Sequence, residues 1–305
     1  MLSKQSILKN RNGDSRIADI LIYVVFTLFT IICVFPFYYI IINTISDNSL
    51  VSKGQILFVP KGIHFNNYVK VFQMKGFPRA SLISVGRTTL GTLFTLLGTS
   101  FVGYAMSREE YWMHKFWYRF VIVTMYFNAG IIPWFINMKN LGMINNFWAY
   151  VIPGAVSPFY MILYKTYVES IPAALEESAE LDGAGYLVRY FYIVLPLSLS
   201  MLATIAIFTA VGQWNAFTDT LFLVTSSDLY TLQYVLYQYL NEAESIARTM
   251  RSSPEAAATM NLSRMLTATS VRMTVTVVVV LPVMLVYPFF QKYFVKGIMI
   301  GAVKG

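Results

Sequence analysis

The chain has 305 residues, of which 56% are hydrophobic and 12% charged, with a formal net charge of +8. A charged share about half that of an ordinary soluble domain, with the apolar residues bunched into long runs, excludes a water-solvated fold and points to lipid as solvent. The Lys and Arg form no basic stripe, which argues against a nucleic-acid partner and for anionic lipid headgroups, and the single cysteine, Cys33, excludes a disulfide framework.

Residues 1–19 form a polar tail carrying Lys4, Lys9, Arg11 and Arg16. The first apolar run, 20–43, is too long for the hydrophobic part of a secretion signal and lacks a small-residue cleavage pattern, so it reads as a retained span. A polar segment, 44–80, separates it from a second run, 81–106. That run carries Ser84, Gly91, Gly98 and Ala105 at seven-residue spacing, one helix face on which a neighbouring helix can approach closely. Further runs cover 117–137, 147–166, 197–224 and 272–293, each long enough to cross about 30 Å of hydrocarbon as a helix. The expected fold is an all-α integral membrane protein of six transmembrane helices. Five of them lie in a core domain, 81–293, and residues 294–305 form a short basic tail. Strands are disfavoured because an open sheet edge in lipid leaves backbone groups unpaired.

Arg87 and Asp219 are the only charged residues well inside the six runs; Arg119, Lys165, Arg272 and Lys292 sit at the ends of theirs. Arg87 is expected to snorkel from the outer end of its helix, whereas Asp219 is a candidate for the transport pathway. The fifth run also holds Gln213, Trp214 and Asn215, whose indole and amides suit stacking on a pyranose and bonding its hydroxyls, although packing is the commoner reason for an aromatic there. Phe127, Asn128 and Trp134 are weaker candidates of the same kind. Trp112, Trp117 and Trp148 sit where interfacial anchors belong. His64 and His114 lie outside the runs without convergent partners, so neither a metal site nor acid/base chemistry is expected. With the N-terminus inside, twelve Lys or Arg fall on inner segments and ten on outer ones, most of the latter in the long loops 44–80 and 225–271. The bias favours both termini in the cytoplasm. Loop 225–271 is polar, with Asp228, Glu242, Glu244, Arg248, Arg251 and Glu255, and fits either a solvated face or a surface that meets a partner.

Between the fourth and fifth runs, 167–196 reads as a helical elbow. Pro172 suits a first helical turn, and Glu176, Glu177 and Glu180 favour the positive helix N-terminus. Gly183 and Gly185 break the helix, and a second amphipathic piece ends at Pro196. The residues alone fit an interfacial helix equally well.

The spacing Glu177-Ser178-Ala179, then Gly183, then Ile193-x-Leu195-Pro196 resembles the "EAA" loop of ABC importer permeases, with Ser178 in place of the central Ala. The fuller pattern Pro172…Glu177…Leu181-Asp182-Gly183-Ala184 is similar to the maltose/oligosaccharide branch. Phe65-Asn66-Asn67-Tyr68, Gln213-Trp214-Asn215 and the ending from Tyr287 to Gly305 extend the likeness along nearly the whole chain. The ending resembles the subgroup for complex, often uronate-containing polysaccharide fragments.

This resemblance implies a type I importer permease in a bacterial-type cytoplasmic membrane. Its implied partners are a second homologous permease subunit, two ATPase subunits, an extracytoplasmic solute-binding protein and an oligosaccharide. ATP and Mg would be bound by the ATPase, since this chain has no G-x-x-x-x-G-K-[ST] loop and is itself no enzyme. The loop residues Glu176, Glu177, Ser178, Ala179, Asp182, Gly183 and Ala184 would couple to that ATPase, with Glu177 pairing a basic residue there. The tail fits either a frayed end or a further ATPase contact. The alternatives are an importer permease for another small polar solute, or an ion-driven secondary transporter, which would be expected to show paired charges in the membrane or interrupted half-helices in a repeated design.

Overall fold

A computed structural model describes residues 13–252 and 269–285, and every regular element among them is helical. The described residues within Met1–Val71 and Ile246–Val277 form one compact unit, and those within Phe72–Ser245 and Val278–Gly305 a second.

The first unit begins with α1, Gly13–Thr44, whose stretch Ala18–Thr44 contains an 18-residue window of mean hydropathy 2.6 that is not covered by protein, while Ile42, Asn43 and Thr44 at its end are buried. A helix apolar on every side is suited to lipid. Helix α2, Asn48–Ser52, is capped by the Asp47 carboxylate, which accepts from the amides of Ser49 and Leu50. Those bonds, led by the Ser49 hydroxyl, hold Asp47 below the usual carboxylate range. Helix α3, Asn66–Gln73, is tied back by a reciprocal amide pair between Asn67 and Asn48, at 2.9 and 3.1 Å. Ile42, Val51 and Ile56 form the small core beneath, with Met273 packed against it.

The second unit is organised around α4, Phe77–Ser107, which Pro78 starts and which runs unbroken for 31 residues. It is followed by α5, His114–Tyr126, and α6, Ile131–Asn140, bent by 119° at a break where Gly130 takes a φ of +86°. Two 3-10 turns across Phe147–Gly154 lead into α7, Pro158–Glu169, at 42°. The elbow supplies α8, Ala174–Leu181, and α9, Tyr186–Arg189. Because Pro196 has no N–H to donate, the coil widens to π geometry over Tyr190–Val194 before the short α10, Leu195–Leu197. The chain then bends by 77° into α11, Leu199–Asn215. Helices α12, Thr218–Leu223, and α13, Leu232–Ser252, follow, and α14, Thr269–Leu285, is the last described.

Six uninterrupted spans were expected; among the described residues, two helices qualify unbroken, or up to five spans if each bent pair counts once. The runs 117–137 and 147–166 are each broken, and 197–224 stops at Ala216 before resuming as α12. The end of the run 272–293, the C-terminal tail and much of loop 225–271 lie outside the described residues.

The small-residue face of α4 does what its spacing predicted. It packs against α11 and α7. A Cβ added at Gly98 would lie 2.4 Å from the Ala155 carbonyl oxygen, and one at Gly91 would lie 2.7 Å from the Gln213 amide. Ser84 accepts from the Leu232 amide at 2.8 Å.

Candidate coupling elbow and transport cleft

At the elbow, α8 places Glu176 and Glu177 in its first turn, where the helix dipole favours carboxylates. Gly183 turns the chain at φ +84°, a left-handed conformation that L side chains resist, with open space around its Cα. The amide of Ala184 bonds the Ala179 carbonyl at 2.9 Å and closes the helix end. Arg189 of α9 reaches back to Glu180 at 2.7 Å and lies 4.4 Å from the Tyr186 ring centroid, so the two arms are clasped.

The loop residues divide by face. Glu176 is 6% exposed and turns inward, its Oε2 accepting from Arg108 Nη1 at 3.0 Å and from the Tyr104 hydroxyl at 3.1 Å. Glu177, Ser178, Asp182 and Gly183 are exposed, Ala179 and Ala184 are half-buried, and Leu181 is 90% exposed. An apolar side chain standing that far into solvent, beside Glu177, is what a protein partner would cover. Phe101, Ala105, Trp112, Tyr186 and Leu187 line a neighbouring apolar cleft of about 340 Å³.

The second site lies where α11 ends. The fifth run places Gln213 and Asp219 on either side of the Ala216 break, and both face Arg87 of α4. Arg87 Nε donates to Gln213 Oε1 at 3.0 Å, Nη1 to the Ala216 carbonyl at 3.0 Å and to Asp219 Oδ1 at 2.9 Å, and Nη2 to Asp219 Oδ2 at 2.5 Å. Its guanidinium carbon stands 4.7 Å from the Tyr150 ring centroid. Arg87 is 3% exposed and does not snorkel. A paired guanidinium bonded through all three of its nitrogens avoids the cost of burying a lone charge. The fork also satisfies the Ala216 carbonyl where α11 breaks.

Asp219 is one wall of a cleft of about 420 Å³ that also takes in Asn128, Trp134, Ala216 and Thr218. Residues from the third and fifth runs, separate in sequence, therefore share one concavity. Trp214 is anchored by its indole N–H on the Val279 carbonyl at 2.8 Å, and Asn215 and Phe127 are exposed. Sequence reasoning missed Tyr104, Arg108 and Tyr150. Arg87 could have been placed from its being, with Asp219, one of two opposite charges away from the ends of the apolar runs. Among the described residues no His, Cys, Asp and Glu cluster could hold a metal ion.

Residues 100–300 match the family described as "Binding-protein-dependent transport system inner membrane component". The chain is 33% identical over 291 residues to the polygalacturonan/rhamnogalacturonan transport system permease protein YtcP of Bacillus subtilis (strain 168), covering 95% of this chain and 99% of that one. It is also 33% identical to the protein LplC of the same organism, over 90% of each chain. Among solved structures, it superposes on a chain of a bacterial ABC transporter involved in the import of the acidic polysaccharide alginate. The TM-score there is 0.82 and the identity 28%, covering 93% of this chain and 99% of that one.

Proposed function

The chain belongs to the binding-protein-dependent transport system inner membrane component family and is an ABC importer permease, from which we propose that its cargo is a uronate-containing oligosaccharide. The observation that supports this cargo is end-to-end similarity to a permease named for polygalacturonan and rhamnogalacturonan transport, beside the likeness to the alginate importer. Fold, inner-membrane location and transport role follow from the family.

Six spans cross the cytoplasmic membrane, each bent pair acting as one, with both termini in the cytoplasm. Residues 1–19 and 294–305 are the tails, 44–80 and 225–271 face outward, and 81–293 is the five-helix core. Two ATPase subunits, a second permease and an extracytoplasmic binding protein complete the importer, and ATP with Mg is held by the ATPase. The elbow docks on that ATPase through Glu177, Ser178, Asp182 and the exposed Leu181, with Gly183 and Ala184 forming its turn and Glu176 and Ala179 its inner side.

The pathway passes the Asp219 cleft. There Trp134 offers an apolar ring face, and Asn128, Thr218 and Asp219 offer hydroxyl partners. Gln213, Trp214 and Asn215 build the wall that holds Asp219 in place. A buried charge pair is also what an ion-driven transporter would carry. Both carboxylate oxygens of Asp219 are engaged by Arg87, however, and family membership over residues 100–300 favours the ATP-driven reading.

Uptake of labelled oligogalacturonate into vesicles bearing the complete importer tests the assignment. ATP-dependent accumulation that competing alginate fragments reduce is expected. Uptake driven by a proton or sodium gradient without ATP would overturn it.

A further inference from the structure

We propose that Glu176, Arg108 and Tyr104 form the mechanical link through which movement of the elbow reaches the transport helices, with Glu176 as a positioning residue for coupling. This rests on the importer reading above. Helix α8 has two faces with different partners: Glu177, Ser178 and Leu181 stand in solvent, and Glu176 turns inward. Among the described side-chain hydrogen bonds and ion pairs, Glu176 alone joins α8 to α4, and Glu180 alone joins it to α9.

The inward contact is built to hold. Glu176 Oε2 takes two donors, from a guanidinium at 3.0 Å and a phenol at 3.1 Å. Arg108 in turn lies 4.9 Å from the Tyr104 ring centroid, so the three side chains constrain one another. Tyr104 packs against the Tyr190 ring at 5.2 Å, and the Tyr190 hydroxyl bonds Ser100 at 2.7 Å, carrying the second arm of the elbow onto the same stretch of α4. A carboxylate with this little exposure releases its partners only at high cost, so it transmits displacement instead of absorbing it.

What receives the displacement is a stiff rod. Helix α4 is unbroken from Phe77 to Ser107 with no proline beyond its first turn. Twenty residues at about 1.5 Å each place Arg87 about 30 Å along it from Ser107, the last helical residue before Arg108. Arg87 grips Asp219 at the Ala216 break beside the cleft. An ion pair to the elbow thus sits on the residue that caps one end of this helix, and an ion pair to the cleft wall further along it. Two sites are coupled when one element's position is biased by both, and α4 is held at both.

The test uses the complete importer in proteoliposomes, with cargo molecules imported per ATP hydrolysed measured for each assembled complex. Glu176→Gln and the milder Tyr104→Phe are expected to lower that ratio, Glu176→Gln by at least about fivefold. The double variant Glu176→Arg with Arg108→Glu is expected to recover most of what each single swap loses. Reduced yield of complex with an unchanged ratio would mean a merely structural brace and overturn the proposal, as would a charge swap no better than its single variants. A wild-type chain that assembles with no ATPase would overturn both this proposal and the importer reading. Normal wild-type coupling with unaltered variants would overturn this one alone.

Discussion

Arg87 and Asp219, separated by 132 positions, meet fork to fork at 2.9 and 2.5 Å, and the arginine is shut from solvent on α4. Two planar groups matched in this way fix the angle between their helices as well as their distance.

Removing one partner strands the other. Arg87→Ala or Asp219→Ala should each destabilise the protein by about 3–5 kcal/mol, whereas the paired apolar change Arg87→Met with Asp219→Leu should cost much less. Thermal unfolding of the detergent-purified complex checks this; equal losses in single and double variants would refute it.

Close approach makes α4 intolerant of bulk at one glycine. Gly98→Val should cost about 1–3 kcal/mol, because the Ala155 carbonyl oxygen is backbone and cannot step aside. Gly212→Ala, with nothing within 4 Å of its new Cβ, should instead gain about 0.5–1 kcal/mol. The same unfolding assay separates them.

At the elbow, Glu177→Lys should leave insertion intact and reduce import per ATP by about tenfold, since it reverses the charge of an exposed docking face. Gly183→Val should act similarly by straining a φ of +84°. Membrane fractionation with transport and ATPase measurements tests both, and normal transport by the two variants would remove the elbow from the coupling path.

The two tryptophans near the cleft should behave differently. Trp134→Ala should raise KM for cargo several-fold, having removed a ring face that lines the concavity. Trp214→Phe should chiefly lower thermal stability, by about 0.5–1.5 kcal/mol, through loss of the bond to Val279. Initial-rate uptake alongside unfolding would reveal a reversed pattern.

Much of the elbow was legible because its signals are local: acidic residues at a helix start, Gly183 at a turn, Pro196 at a re-entry. The small-residue face of α4 was legible for the same reason, since seven-residue spacing is two helical turns. The bends were not. Hydropathy sums over a window and is blind to the direction of the chain, so the 119° turn after α5 and the stop at Ala216 left the apolar runs looking continuous. Arg87 was misread because its position along a run says nothing of what packs beside it.

By itself the sequence determined the solvent, the family and the elbow, because composition, motif spacing and turn residues act over a few neighbouring positions. Only the tertiary structure decided which charges meet. Arg87 with Asp219, 132 residues apart, and Arg108 with Glu176, 68 apart, are joined by how the helices pack. Burial then requires each such charge to find its partner, and chain order does not say which partner that is.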